Sequence, residues 1–233
     1  MSLPNIETLD VDGAIREAEE KVAGDTRASF FRKAAVGGGA VLSSGAILGM
    51  LPNLAQGAPS ATQDLEILNY ALTLEYLEAA FYEGAVKSGN LEGEVAQFAK
   101  LVSKHETIHV NALKDTIKAL GGDAVKEPKF QFKGTNTNPE KFVATAFVLE
   151  NTGVHAYLGQ VDRISNPAIL KAAGTIVTIE ARHAAAIATI VAKSGAFKDH
   201  AAGSITPDGA FDVPFSMKKV LKAVDKTNFI KGF

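Results

Sequence analysis

The sequence contains two Glu-x-x-His units, each within a long stretch whose apolar residues recur with a helical period. They are Glu106–His109 and Glu180–His183. A three-residue step brings two side chains to the same side of an α-helix, so the Glu and the His of each unit share one face. That face is apolar, with Val102 and Leu113 on it around the first unit and Ile187 after the second. A carboxylate on an apolar face is costly to bury unless it is paired or binds a metal, so both units require a neutralising partner inside the fold.

Two other helical stretches each add one glutamate, Glu75 and Glu150, to the same kind of apolar face. Their spacing repeats, because 31 residues separate Glu75 from Glu106 and 30 residues separate Glu150 from Glu180. In both halves a tyrosine follows the single glutamate by seven residues. An internal duplication would produce this repeat, whereas a chance scatter of surface glutamates would not. The sequence therefore predicts four helices that direct four Glu and two His inward.

The fold class follows from the apolar periodicity and from the length of the links between helices. The pattern predicts four long helices. They cover residues 62–87, 91–120, 139–164 and 167–193. The first and third links are short, whereas the central link, 123–138, is long enough to cross the bundle. We therefore predict an all-α protein, a four-helix bundle of two antiparallel helical hairpins joined by a long central crossover.

The 233 residues divide into three predicted regions. Residues 1–58 are a polar lead and an export-signal-like or anchor segment, residues 59–193 form the bundle, and residues 194–233 form an irregular C-terminal tail. The tail is rich in Gly, Pro and Phe, with one short helical run at 216–224. We expect it to wrap the bundle or a neighbouring subunit, and we expect a homo-oligomer.

The N-terminal region has the layout of an export signal. Basic residues at Arg32–Lys33 precede 30 uncharged residues, of which 34–51 are the apolar part, and the small residues Ala55, Gly57 and Ala58 follow as candidate processing points. The lead also resembles a twin-arginine export signal, although Ala28 stands where the second arginine belongs. We expect export to the periplasm, the cell envelope or the medium. The alternatives are a membrane anchor, because 18 apolar residues just span a bilayer, and a Gly-rich helix inside the fold.

Composition excludes several classes of function. The chain has no cysteine, which excludes disulfide scaffolds, zinc–thiolate sites, iron–sulfur clusters and cysteine nucleophiles. Because cysteine is absent, any metal must use oxygen and imidazole ligands. The 24 basic and 26 acidic residues give a net charge of -2, so we expect no nucleic-acid partner.

The inward-facing residues suit two divalent metal ions. Four carboxylates and two divalent cations balance in charge, and neutral imidazoles complete the coordination. Oxygen and nitrogen ligands of this kind favour iron or manganese, and carboxylates that bridge two ions keep them close enough to share dioxygen or peroxide. The alternative is a bundle without metal whose polar core is internally hydrogen-bonded.

This pattern resembles the ferritin-like di-iron carboxylate proteins. Residues 68–82 in particular look like the first helix of bacterial ferritin-like domain proteins similar to plant desiccation-related proteins. The resemblance covers about 130 residues. It implies two metal ions, iron in the first place and manganese as an alternative.

The resemblance also implies roles for the individual residues. One metal would be served mainly by Glu75, Glu106 and His109, and the other by Glu150, Glu180 and His183. The bridging carboxylates would be Glu106 and Glu180 or the two single glutamates. Tyr82 would lie beside the ferroxidase centre, as a tyrosine does in ferritins.

Other polar residues near the predicted site have simpler interpretations. Tyr82 and Tyr157 could be packing residues, each with one satisfied hydroxyl group. We expect Glu78 at the rim or in a hydrogen bond. His105 and His155 lie off the ligand faces and are expected at a helix interface or at the surface.

The expected function is oxidation of Fe(II) or consumption of peroxide or dioxygen, in stress protection. Manganese-catalase-like activity is one alternative. A metal-binding or structural stress-related protein without turnover is another. Iron storage is a third, but it needs a closed cage of subunits, and the N-terminal extension and C-terminal tail are unlike a compact cage subunit.

Overall fold

Four long helices and one short helix make up the described part of the chain, which in this computed structural model comprises residues 60–194 and 211–232. The helices are α1 (Ala61–Ser88), α2 (Gly93–Ala119), α3 (Pro139–Leu158), α4 (Pro167–Ser194) and α5 (Met217–Thr227). Among these residues no strand forms, and the extended backbone pairs only in one isolated bridge. The prediction of an all-α fold with four long helices is confirmed.

Local sequence signals set most of the helix ends. Asn138 accepts a hydrogen bond from the backbone N–H of Lys141 at 3.0 Å, as an N-cap does, and Pro139 begins α3. Gly89 ends α1 with φ +68°, a left-handed conformation that glycine adopts without steric cost. The predicted end of the third helix was six residues too late, because the chain leaves the helix at Gly159. The backbone of Phe215 packs against the position that a Cβ of residue 159 would take.

The helices pair as two hairpins, α1 with α2 and α3 with α4. Short links at 89–92 and 159–166 connect the helices within each hairpin, whereas 120–138 runs from one hairpin to the other. The hairpins meet through contacts of α2 with α4 and of α1 with α3. The second short link is held by Asp64 of α1, whose carboxylate accepts hydrogen bonds from the backbone N–H groups of Ser165 and Asn166 at 2.7 and 2.9 Å.

Two apolar clusters fill the bundle, one on each side of a polar layer. In α2, Phe98 and Val102 belong to the first cluster and Leu113 and Ile117 to the second. The Glu-x-x-His unit of α2 lies between these two pairs in the sequence. Along α4 the order is reversed. Ile176, before the Glu-x-x-His unit, belongs to the second cluster, and Ile187, after the unit, belongs to the first. The polar residues are therefore enclosed by apolar packing from both ends of the bundle.

The described part of the C-terminal tail packs against the crossover and the bundle. Phe130 and Ile230 form an antiparallel bridge, and the Gln131 N–H donates to the Phe229 carbonyl at 2.8 Å. Phe132 of the crossover contacts Phe229 edge-to-face with ring centroids 5.4 Å apart. Helix α5 also buries Val220 and Val224 in the first apolar cluster.

The predicted export signal or anchor lies outside the described residues and stays a prediction. Within the described part of the chain, one helix is long and apolar enough to cross a membrane, over Pro167–Lys193. This stretch belongs to α4, which packs against α3 and buries Glu180 and His183. A core helix of a bundle passes the same test of length and composition, so the finding alone does not indicate a membrane span.

Candidate metal centre

The structure brings together all six residues that the sequence analysis proposed as metal ligands. We call them the Glu–His cluster: Glu75, Glu106, His109, Glu150, Glu180 and His183. All four carboxylates have an exposed fraction of 0%. Their ligand atoms fall into two groups, and within each group these atoms lie within 4.8 Å of one another. The groups are Glu75, Glu106, His109 and Glu180, and Glu106, Glu150, Glu180 and His183.

In the first group the ligand atoms converge around His109. Its Nδ1 atom lies 3.1 Å from Glu75 Oε2, 3.1 Å from Glu106 Oε2 and 3.2 Å from Glu180 Oε1. One N–H can donate well to only one of these oxygens. Neighbouring ligands of an octahedral ion with bonds of about 2.1 Å stand about 3 Å apart, so the spacing is typical of atoms that share a metal ion.

The second group repeats this arrangement around His183. Its Nδ1 atom lies 3.1 Å from Glu150 Oε2, 3.2 Å from Glu106 Oε1 and 3.9 Å from Glu180 Oε2. Glu106 and Glu180 belong to both groups and offer one oxygen to each histidine. Of the two bridging pairs that the resemblance allows, Glu106 and Glu180 are therefore the pair whose oxygens lie near both histidines.

Several buried oxygens of the cluster have no hydrogen-bond partner among the described residues. They are Glu106 Oε1 and both side-chain oxygens of Glu180. A buried, unpaired carboxylate oxygen is costly, and a cation is the partner that four converging carboxylates require. The donor set and its geometry thus fit two divalent ions.

The electrostatics of the cluster indicate the same need for positive charge. Burial, reinforced by the charge of Glu75, raises the pKa of Glu106 to about 7, and burial with Glu106 raises the pKa of Glu180 well above its usual range. Burial alone would lower the pKa of His183, but the neighbouring carboxylates of Glu106 and Glu150 raise that pKa to about 10. The protein without metal therefore has to hold protons where cations would otherwise balance the carboxylates.

The comparison with known families agrees with this geometry. A family model described as a ferritin-like domain matches residues 63–193, which is more than half of the chain. The chain belongs to the ferritin-like domain family. A search among curated proteins finds no match to it.

In this ferritin-like domain two tyrosines connect the hairpins across the site. The Tyr82 hydroxyl on α1 donates a hydrogen bond to Glu150 on α3, and the Tyr157 hydroxyl on α3 donates to Glu75 on α1, the latter at 2.5 Å. Burial and the nearby carboxylates raise the pKa of both phenols well above the usual value, so both stay protonated donors. Tyr82 therefore lies beside the cluster, but it contacts the glutamate of the opposite hairpin.

The two halves of the site differ at Glu78, which is more buried than the sequence predicted. Glu78 is 4% exposed and does not lie at the rim. Burial and four surrounding carboxylates raise its pKa well above the usual range, which favours the neutral acid. The repeat that relates Glu75 to Glu150 places Gly153 at the equivalent position. A Cβ there would stand 3.1 Å from Glu180 Oε2 and 3.5 Å from Glu78 Oε1.

Gly153 should be needed to keep Glu180 in its position. We expect Gly153→Val to weaken metal binding by more than about tenfold, because overpacking of this size typically costs 1–3 kcal/mol. Gly174→Val on α4 is the matched control, since a Cβ at that helical glycine meets nothing within 4 Å. Titration of both metal-free variants with Mn(II) measures the difference. Equal Mn(II) affinities of the two variants would show that metal binding does not depend on the absence of a side chain at Gly153.

The structure also brings a third histidine next to the Glu–His cluster. His105 was expected at a helix interface or at the surface, and it lies at the interface of α2 with α4, where its Nδ1 atom is 2.8 Å from Nε2 of His183. His155 also lies at an interface, stacked on Phe215 with ring centroids 4.3 Å apart. No sequence signal distinguished the two histidines, because their neighbours depend on how the helices are rotated against each other.

Proposed function

We propose that the Glu–His cluster holds two divalent metal ions, iron in the first place or manganese, and that the protein oxidises Fe(II) or consumes peroxide or dioxygen. The observation that supports this proposal is the pair of overlapping ligand groups that share Glu106 and Glu180. Membership of the ferritin-like domain family supports the same class of site. We further propose a role in stress protection, from the resemblance of residues 68–82 to desiccation-related proteins.

The proposed division of ligands follows the two groups. Glu75 and His109 would hold one ion, Glu150 and His183 would hold the other, and the two shared glutamates would contact both. When bound, two adjacent redox-active ions supply the Lewis acidity and the electrons that oxygen or peroxide chemistry requires.

The chain contributes orientation and a dry environment. Tyr157 and Tyr82 each hold the unshared glutamate of the opposite hairpin by a hydrogen bond, which limits its rotation. The two apolar clusters keep bulk water from both ends of the polar layer, and a low dielectric strengthens the attraction between carboxylates and cations.

Metal content is the first test. We expect about two iron or manganese ions per chain in protein purified without added metal, and loss of both from the variant Glu106→Gln, Glu180→Gln, because each group then loses two of its four carboxylate or imidazole ligands. Glu83→Gln is the matched control, since Glu83 on α1 is 60% exposed and forms an ion pair with Lys87 at the surface. Elemental analysis gives the counts. Wild-type protein that stays free of metal after reconstitution with Fe(II) and Mn(II) would contradict the proposal.

Two alternatives differ in what the loaded protein does. Rapid disproportionation of peroxide with bound manganese would indicate manganese-catalase-like activity. Bound metal without turnover of Fe(II), peroxide or dioxygen would indicate a metal-binding or structural stress-related protein.

Two further proposals concern location and assembly. We propose that the protein is exported, or anchored through residues 34–51, and that it forms a homo-oligomer. Solution mass with and without detergent tests the anchor and the oligomer together. A mass of many subunits would instead favour a storage cage.

A further inference from the structure

We propose that His105 is a positioning residue that fixes the orientation and the tautomer of His183, so that the two metal-binding halves of the site are unequal. This inference rests on the proposed function, because it concerns how His183 binds a metal ion. Its basis is a contact between two histidines that the duplication does not repeat.

The contact has the geometry of a hydrogen bond combined with ring stacking. Nδ1 of His105 and Nε2 of His183 are 2.8 Å apart. The two rings lie nearly parallel, with centroids 5.1 Å apart and planes inclined by 16°. His105 is half-buried on α2 and His183 is buried on α4, so the contact also joins the two hairpins.

The direction of this hydrogen bond follows from what the other nitrogen of His183 faces. Nδ1 of His183 lies among carboxylate oxygens, at 3.1 Å from Glu150 and 3.2 Å from Glu106. A histidine that offers Nδ1 to a metal carries its proton on Nε2. Nε2–H of His183 then donates to Nδ1 of His105, and His105 carries its own proton on Nε2. Such an outer partner orients a ligating imidazole and raises its basicity.

The described residues provide no such partner in the other half of the site. In the duplicated sequence, Glu106 corresponds to Glu180, and His105 therefore corresponds to Ile179. The side chain of Ile179 has no hydrogen-bond acceptor. Within the described residues, no hydrogen bond reaches Nε2 of His109. The ion held by His183 should therefore bind more tightly than the ion held by His109.

Titration of the full metal-free chain with Co(II) tests this inference. Calorimetry measures the affinity of each binding step, and the visible d–d absorption of Co(II) reports the ligand set of each ion. We expect two unequal steps in the wild type. In His105→Ala we expect one step to weaken by about 10- to 100-fold, which is the usual effect of losing an outer partner of a ligand. The other step should keep its affinity and its spectrum.

Two further variants separate positioning from general damage to the fold. His105→Gln retains a side-chain acceptor and should restore most of the lost affinity. Ile179→Ala removes a side chain at the equivalent position and should leave both steps unchanged. Unchanged binding in His105→Ala would overturn the inference alone. Equal weakening of both steps without rescue by glutamine would also overturn it. Wild-type protein that binds no Co(II) would overturn the proposed function as well.

Discussion

Replacing Glu106 and Glu180 together by glutamine is expected to reduce Fe(II) oxidation or peroxide consumption to the rate of the same metal ions free in buffer. Both side chains offer oxygens to both histidines, so the double variant removes half of each ligand group. Bound metal ions contribute several kcal/mol to reactions of this kind, and 100-fold corresponds to about 2.7 kcal/mol. We therefore expect a loss of at least about 100-fold.

The measurement is the initial rate of Fe(II) oxidation by dioxygen and of peroxide loss, for protein reconstituted with iron and separately with manganese. Glu83→Gln, at an exposed position on α1, should retain the wild-type rates. A double variant that keeps its rate would show that the reaction does not occur at this cluster. A wild type that binds metal without turnover would instead favour the alternative of a metal-binding stress protein.

Metal loading should raise the thermal midpoint of unfolding by about 10 °C. Ions that bind only the folded state stabilise it by about 4 kcal/mol when their concentration is 1,000 times Kd. One kcal/mol corresponds to about 2–4 °C for a domain of 150–250 residues. The physical source of this gain is the set of four buried carboxylates, three oxygen atoms of which have no hydrogen-bond partner among the described residues.

Calorimetry of the metal-free chain with and without Mn(II) gives this shift, and a chelator should reverse it. The variant Glu106→Gln, Glu180→Gln should show no metal-dependent shift. Its metal-free form should be at least as stable as the metal-free wild type, because neutral amides replace two buried acids that the wild type ionises only at a cost in free energy. An equal shift in the variant and the wild type would place the stabilising metal elsewhere.

Much of the bundle could be predicted from residue spacing. The helical period places Glu106 with His109 on one face, and the same reasoning applies to Glu180 with His183. Two helix ends also have local causes, because Gly89 ends α1 and Asn138 caps the start of α3. The end of α3 could not be predicted in this way, because Gly159 is crowded by the backbone of a segment about 56 residues later in the chain.

The differences between the two halves of the site were much harder to predict. Glu78 and His105 carry no spacing that distinguishes them from other polar residues on amphipathic helices. In the structure, Glu78 is buried among carboxylates and the ring of His105 stacks on that of His183. Both outcomes depend on the rotation of each helix about its axis relative to its neighbours, which interhelical packing determines.

By itself, the sequence determined that the chain forms long helices, that each helix carries its glutamate or Glu-x-x-His unit on an apolar face, and that the set repeats. These properties follow from local spacing within one helix. Only the tertiary structure decided that Glu106 and Glu180 reach both histidines, that the tyrosines bond across the hairpins and that Glu78 is buried opposite Gly153. The physical reason is that these contacts join residues on different helices, and their distances depend on how four helices pack side by side around one polar layer.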